Sequence, residues 1–555
     1  MEEAGERVRR RGEFMPDTAI PAQSHRKVII ASSLGTVFEW YDFYLYGLLA
    51  TIISAQFFSG VNDTTAFILA LGAFAAGFAV RPFGALVFGR VGDLVGRKYT
   101  FLVTMGLMGL STFAVGLLPS YASIGVAAPL LLVGLRLLQG LALGGEYGGA
   151  AIYVAEHAPE GKRGFYTSFI QTTATLGLFA ALLVVIGLRT WMGEDAFADW
   201  GWRVPFLLSA ILLGVSLWIR LQLAESPVYQ AMREEGETSK APLSEAFGRW
   251  GNLKWVLVAL LGAVAGQAVV WYTGQFYALF YLEKVLKVDG GTANVLIAIA
   301  LAIGTPFFLF FGWLSDRVGR KPIIMGGLAL AALTYFPLFG ALTGAANPAL
   351  AEAQARAPVV VHANPESCSV QFDPIGKTKF DTTGCDIAKS ALAKAGVPYT
   401  NEDGTYDRNA VVTVGDESYE ITPGASSGSL IEAVEAAGYP AKADPAQIDK
   451  PMVVAILTAL VLLVTMVYGP IAALLVELFS ARIRYTAMSL PYHIGNGWFG
   501  GFLPTIAFAM VAATGDIYAG LWYPVGIAVL SLVVGLLFLP ETFRRSVYHR
   551  RADPS

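Results

Sequence analysis

Runs of about 20 apolar residues recur along most of the chain, each long enough to cross a hydrocarbon core of roughly 30 Å as a helix. A helix satisfies its own backbone hydrogen bonds, and lipid offers no others, so the repetition points to a bundle of membrane-spanning helices. Of the 555 residues, 55% are hydrophobic and only 15% are charged, against about 25% charged in a typical soluble domain. This pattern argues against a soluble enzyme and against a nucleic-acid binder. Glycine (60 residues) and phenylalanine (34 residues) are abundant, which suits close helix packing in lipid.

Twelve spans are expected, at 28–58, 63–89, 99–119, 123–156, 163–189, 201–223, 252–284, 292–315, 322–344, 451–479, 485–514 and 517–540. They are numbered here in that order. Basic residues set the orientation. One side collects 24 Lys and Arg in its tails and loops, whereas the short loops opposite hold Arg189, Lys284 and Lys287. Both termini are therefore expected in the cytoplasm, with the chain multi-pass in its membrane. The expected divisions are a cytoplasmic tail (1–27), a six-helix bundle (28–223) and a cytoplasmic linker (224–251). Helices seven to nine follow (252–344), then an outer insert (345–450), helices ten to twelve (451–540) and a second cytoplasmic tail (541–555).

The insert carries 15 acidic and 8 basic residues and reads as a small α/β module. Ala388–Ala395 and Ser429–Ala437 have helical patterns, and 411–414 and Tyr419–Thr422 have strand patterns. Both cysteines, Cys368 and Cys385, lie here, in the oxidising compartment, where a disulfide is expected. His362 alone beside them does not resemble a zinc pattern. No metal and no cofactor are expected.

Two loops on the basic side repeat each other. Gly89, Asp93, Gly96, Arg97 and Lys98 follow span two; Gly312, Asp316, Gly319, Arg320 and Lys321 follow span eight. Both read G-x-x-x-D-x-x-G-R-K, and the coincidence implies an internal duplication of a six-span unit. Each aspartate suits a helix N-terminus or the neighbouring arginine.

These loops resemble those of the major facilitator superfamily, and the chain looks most like its metabolite:proton symporters. The resemblance rests further on Phe38–Phe43 in span one, Arg81–Gly84 in span two, and Arg136, Gln139, Gly140 and Gly144–Ala150 in span four. Gly201–Phe206 and Glu225–Pro227 flank span six. The resemblance implies an all-α membrane protein of twelve transmembrane helices in two pseudo-symmetric six-helix bundles. The small extracytoplasmic α/β insert would lie between helices nine and ten. A long outer insert there is similar to a subgroup that handles acetate and haloacetates.

An ionisable residue at membrane depth costs at least ~2.5–3.5 kcal/mol and marks a functional position by default. Glu39, Asp42 and Tyr46 share one face of span one within about 60° at 100° per residue, near mid-bilayer. Asp42, or else Glu39, is the expected proton carrier, with Arg136 coupled to it; the resemblance also associates an arginine in R-x-x-Q-G with proton coupling. Arg81 is expected to grip a substrate carboxylate, with Tyr46, Gln139, Gln267, Tyr272, Gln275, His493 and Asn496 lining the cavity. His493 reads either as a titrating group or, preferably, as a neutral ring bonded to a neighbouring helix. Glu146 is expected to join Gly89, Asp93, Gly96, Arg97, Lys98, Asp316 and Arg320 in a cytoplasmic gate.

The reading is a symporter that imports a small organic anion, first of all a short monocarboxylate, with protons, as a monomer in the bilayer. The alternatives are an exchanger or exporter of the same fold, and a transport sensor whose insert binds a ligand or partner.

Overall fold

The computed structural model describes residues 33, 36–38, 40–59, 63–221, 225–369, 381–406 and 408–545. Helix occurs in every one of the twelve spans. Span one is helical at 36–38, 40–48 and Ala50–Phe57, and span two runs Asp63–Leu94. By length and composition nine helices among the described residues could each cross a membrane; these are spans three to five and seven to twelve. A tenth is the pair Glu194–Gly201 and Arg203–Trp218, bent by 61° before span six. Leu183, Leu333 and Leu537 face outward on this bundle, at least 70% exposed, as lipid-facing leucines do.

Each half packs in the same way. Span two lies against span four, and span eight against span ten; span three lies against span six, and span nine against span twelve. Between the halves, span eleven packs on span two, and span eight packs on span five. Glycines bring spans two and four into backbone contact: a Cβ at Gly140 would strike the carbonyl of Gly77, and one at Gly144 the carbonyl of Arg81. This contact sets Arg81 beside the polar face of span four.

Span seven (Trp250–Val285) and span eleven (Arg484–Val511) are not uniform α-helices. Span seven widens into π turns at Leu260–Val264, Thr273–Tyr277 and Tyr281–Val285, and span eleven at Gly495–Gly500. Such turns interrupt the regular ladder and often accompany functional positions; here they adjoin Trp271, Tyr272, His493 and Asn496.

The insert begins with a helix at Pro348–Arg356 and holds a four-stranded sheet: β1 Val359–Ala363, β2 Thr400–Asp403, β3 Ala410–Val414 and β4 Glu417–Ile421. The order is β2-β1-β3-β4, with β1 and β2 parallel and the other pairs antiparallel. Val361 opposes Val412, and both are buried beneath the helices Gly384–Ala395 and Gly428–Ala436. The two expected strands are present, shifted by one to two residues. The sequence does not mark the other two strands: the Val359-Val360-Val361 run of central β1 lacks polar alternation, and edge strand β2 is polar and exposed throughout. Cys368 and Cys385 form a disulfide with Cα atoms 5.4 Å apart.

The insert is seated on two loops of the second half. The Lys287 amine donates to the carbonyls of Ala395 and Pro440, and the Ala443 amide donates to the Lys287 carbonyl (3.1 Å). Across the way, the Tyr399 amide donates to Gly515 O (3.1 Å), and Asn401 to Thr514 O. The loops belong to the tips of spans seven and eight and of spans eleven and twelve.

Candidate functional site

At the end of the bundle bearing the repeated loops, every fixed position of G-x-x-x-D-x-x-G-R-K has a visible task, performed twice. Gly89 lies against the backbone of Thr486, and Gly312 against the carbonyl of Gly164, so a side chain at either would force the halves apart. Asp93 pairs with Arg97 (2.7 Å) and accepts the Tyr485 and Thr486 amides (3.3 and 2.9 Å) at the start of span eleven. Asp316 pairs with Arg320 (2.6 Å) and accepts the Gly164 and Phe165 amides (both 2.8 Å) at the start of span five. Each aspartate thereby neutralises an arginine and caps a helix of the other half. Gly96 (φ 136°) and Gly319 (φ 109°) hold backbone conformations that L side chains rarely adopt. The two lysines donate to helix-end carbonyls: Lys98 to Leu221 O (3.0 Å) and Lys321 to Leu536 O (2.9 Å).

A second duplicated set completes the latch. Glu156 at the end of span four pairs with Arg484 (2.6 Å) and accepts from the Ser226 hydroxyl. Glu477 at the end of span ten pairs with Arg320 (3.0 Å) and Arg163 (3.7 Å) and accepts from the Thr542 hydroxyl (2.8 Å). Glu225 and Glu541 take the amides that open spans three and nine. The expectation for Glu146 needs correction. The carboxylate that ties span four to this end is Glu156, ten residues on and roughly 15 Å further along the helix, while Glu146 is buried within the span. The signal was available: Glu156 precedes Arg163 by seven residues, as Glu477 precedes Arg484.

Deeper in the bundle, Asp42 and Arg136 meet. Their side chains are about 5% exposed, with Arg136 Nη1 3.6 Å from Asp42 Oδ2. Arg136 also donates to Gln139 Oε1 and lies 4.0 Å from the Tyr46 ring centroid; Gln139 in turn donates to Thr112 (2.9 Å). The pair is longer than Asp93–Arg97, Asp316–Arg320 and Glu156–Arg484 of the latch, and its arginine is held by a ring and an amide in addition to the carboxylate. Glu39 lies outside the described residues.

Arg81 lines two clefts. One contains Asp42, Arg136 and Gln139; the other lies between the halves and contains Trp40, Tyr147, Trp271, Tyr272, Tyr468, Tyr492, His493 and Asn496, with Thr36, Ile170 and Gln171. The guanidinium sits 4.4 Å from the Phe78 centroid. Tyr147 and Tyr492 stack at 3.7 Å across the halves, and Trp40 meets Trp271 at 5.1 Å. Towards the insert, Phe43 and Tyr44 of span one close against Phe276 of span seven (5.4 and 5.9 Å). The interface between the halves is thus held by ions at one end and by rings at the other.

Four expectations change here. Tyr46 lines neither cleft and lies instead against Arg136. Gln267 and Gln275 also line neither. The first is tied to Asn496 through paired amides (3.2 and 3.3 Å), and the second accepts from Tyr44 (3.3 Å) among the rings. His493 is buried, but neither ring nitrogen has a hydrogen-bond partner among the described residues, so it is not bonded to a neighbouring helix. Nothing in the sequence singles out Thr36, Trp40, Tyr147, Gln171 and Tyr468 as cleft residues, since aromatic and polar residues are common throughout such spans.

The sugar (and other) transporter family model matches residues 27–249 and 424–552, and that for MFS/sugar transport proteins matches 149–353. The chain belongs to the sugar (and other) transporter family of the major facilitator superfamily. It is 37% identical over 322 residues to the alpha-ketoglutarate permease of Escherichia coli (strain K12), covering 58% of this chain and 72% of that one. To the proline/betaine transporter of Salmonella typhimurium it is 39% identical over 320 residues, or 56% of this chain and 63% of that relative, a little under two thirds. The solved structure of the proton:xylose symporter XylE bound to 6-bromo-6-deoxy-D-glucose shares the fold, with TM-score 0.61 and 16% identity over 95% of this chain and 98% of that one. The protein is a transporter, not an enzyme.

Proposed function

We propose that the protein is a proton-coupled symporter that imports a small organic acid, a short monocarboxylate first, by alternating access between its two halves. The observation that carries the reading is the buried Asp42–Arg136 pair beside Arg81, which borders both that pair and the cleft between the halves. In this reading Asp42 takes a proton from the outer side. Its charge is lost, Arg136 is released to Gln139 and Tyr46, and the local balance of charge turns positive. Arg81 then binds the substrate carboxylate, as a guanidinium does through paired hydrogen bonds. With both sites filled the aromatic end closes and the ionic latch opens.

The energetics require the proton. A negative-inside potential opposes entry of an anion by ~2.3 kcal/mol per charge per 100 mV, and one proton cancels that charge. The bias of Lys and Arg supports an orientation in a bacterial inner membrane with the latch end and both tails on the cytoplasmic side and the insert outside. The permease and the proline/betaine transporter to which the chain is similar are named for small organic solutes, and XylE for proton symport.

The test is uptake of radiolabelled acetate into proteoliposomes under an inward proton gradient, with a protonophore control. Protein-free liposomes correct for acetic acid crossing lipid unaided. Saturable, protein-dependent, gradient-driven uptake is the expected result. Its absence for acetate, haloacetates, dicarboxylates and betaine alike, in folded protein, would overturn symport of this class.

A further inference from the structure

Buried polar atoms without partners gather around the cleft between the halves. His493 and Trp271 are each 2% exposed, yet both ring nitrogens of His493 and the indole Nε1 of Trp271 make no hydrogen bond to a described residue. Arg81 Nε is in the same condition. All three side chains line one cleft, Arg81 from span two, Trp271 from span seven and His493 from span eleven. The other polar groups there serve one another: Gln171 donates to Tyr147 (2.8 Å), Tyr468 shares a hydrogen bond with Tyr492 (2.7 Å), and Asn496 is occupied by Gln267 and Tyr492 O.

Leaving a buried donor unsatisfied costs its full desolvation penalty, so such groups ordinarily have a partner that the folded chain does not itself supply. Their chemistry defines that partner. An indole N–H donates only, a guanidinium donates only, and a neutral imidazole offers one donor and one acceptor. A lone carboxylate on Arg81 would leave the indole and imidazole unsatisfied. A carboxylate held through both oxygens by Arg81 spends its paired acceptors there, so the indole on span seven and the imidazole on span eleven call for a further acceptor.

We infer that Trp271 and His493 are specificity-determining residues that read a second oxygen acceptor on the substrate, making the preferred ligand a small carboxylate with an added keto, hydroxyl or carboxylate oxygen. The inference rests on the proposed carboxylate transport and refines its substrate class. Arg81 supplies charge for any carboxylate; the span-seven and span-eleven pair ranks them. Arg81 belongs to one half and the pair to the other, so a ligand with both groups is gripped from both halves, whereas a plain carboxylate is held by Arg81.

Propionate and pyruvate test this, since they share length and charge and differ by one carbonyl oxygen. Binding is measured by calorimetry on the full-length protein in nanodiscs at constant pH. Pyruvate is expected to bind about tenfold tighter than propionate, one well-made hydrogen bond in a buried site. His493→Phe and Trp271→Phe are each expected to bring the ratio below about threefold, while His493→Gln, which keeps a donor, retains most of it. A structural role would change both affinities and leave their ratio alone. Equal binding of the two acids by the wild type, or a full ratio in the folded phenylalanine variants, overturns the inference while carboxylate transport stands. If His493→Phe does not fold, Trp271→Phe decides. Failure of both acids to bind the wild type overturns the inference together with the transport reading.

Discussion

Asp93 Oδ2 lies 2.9 Å from the backbone nitrogen of Thr486, joining the end of span two to the start of span eleven across the two halves. Asp316 makes the same connection in reverse, from span eight to the start of span five. The duplicated loop is therefore a reciprocal clasp. Each half contributes the capping carboxylate for a helix of the other, so opening that end breaks both caps together.

This gives the first prediction. Asp93→Ala and Asp316→Ala should destabilise the closed form to a similar extent, on the order of 3–5 kcal/mol, the usual cost of stripping one partner from a buried ion pair. The native cysteines are bonded to each other, so a cysteine placed at buried Ser489 is the sole thiol. Its alkylation rate should rise at least about tenfold in either variant. A rise in one variant alone would refute the reciprocity.

Asp42→Asn should abolish gradient-driven uptake while the protein remains inserted and folded. The amide keeps the size of the side chain but neither carries charge nor exchanges a proton at accessible pH. Unchanged uptake with unchanged pH dependence would remove Asp42 as the coupling group.

Loss of the disulfide should be felt locally. The bond links residues 17 apart, worth ~3 kcal/mol in the unfolded-chain account. Cys368→Ser should speed amide exchange in Gly384–Ala395, whose second residue is Cys385, and leave the spans unaffected. Exchange that rises equally in the transmembrane helices would contradict an independently held insert.

Removal of 350–445 should leave transport intact. The flanks are already joined, since the Asp449 amide donates to Ala345 O (2.9 Å), so the splice spans little distance. Proteoliposome uptake near the wild-type level is the expected result. Lost uptake in folded protein would favour a transport sensor.

Docking of the insert should strengthen at alkaline pH. Burial holds the Lys287 ammonium below its usual value, so the docked form binds the proton less firmly than the undocked form. Stability then rises with pH from that lowered value towards the ordinary lysine value of about 10.4. Limited proteolysis of the insert should slow across that interval in the wild type and not in Lys287→Met.

Much of this was legible in residue order. Length and apolarity defined the spans, because a lipid solvent penalises unpaired backbone wherever it occurs and so writes its demand into each segment separately. The repeated G-x-x-x-D-x-x-G-R-K exposed the duplication, and each of its positions proved to have a contact. Asp42 and Arg136 could be singled out because charge is rare at that depth.

What stayed hidden depends on partners far away in sequence. Glu146 and Glu156 are both glutamates of span four; the repeated seven-residue spacing to an arginine marks Glu156, but its pairing with Arg484 is visible only in the structure. Gln267 and Gln275 look as much like ligand groups as Asn496 does, until an amide and a tyrosine hydroxyl are found to occupy them. Strand β1 needed β3 beside it to be recognisable as a strand at all. The sequence alone determined which segments enter the membrane and which residues bear charge there, since solvation acts on each segment by itself. Only the tertiary structure decided which polar atoms are satisfied and which, as at Trp271 and His493, are left facing the cleft, because a hydrogen bond is a property of two groups at one distance.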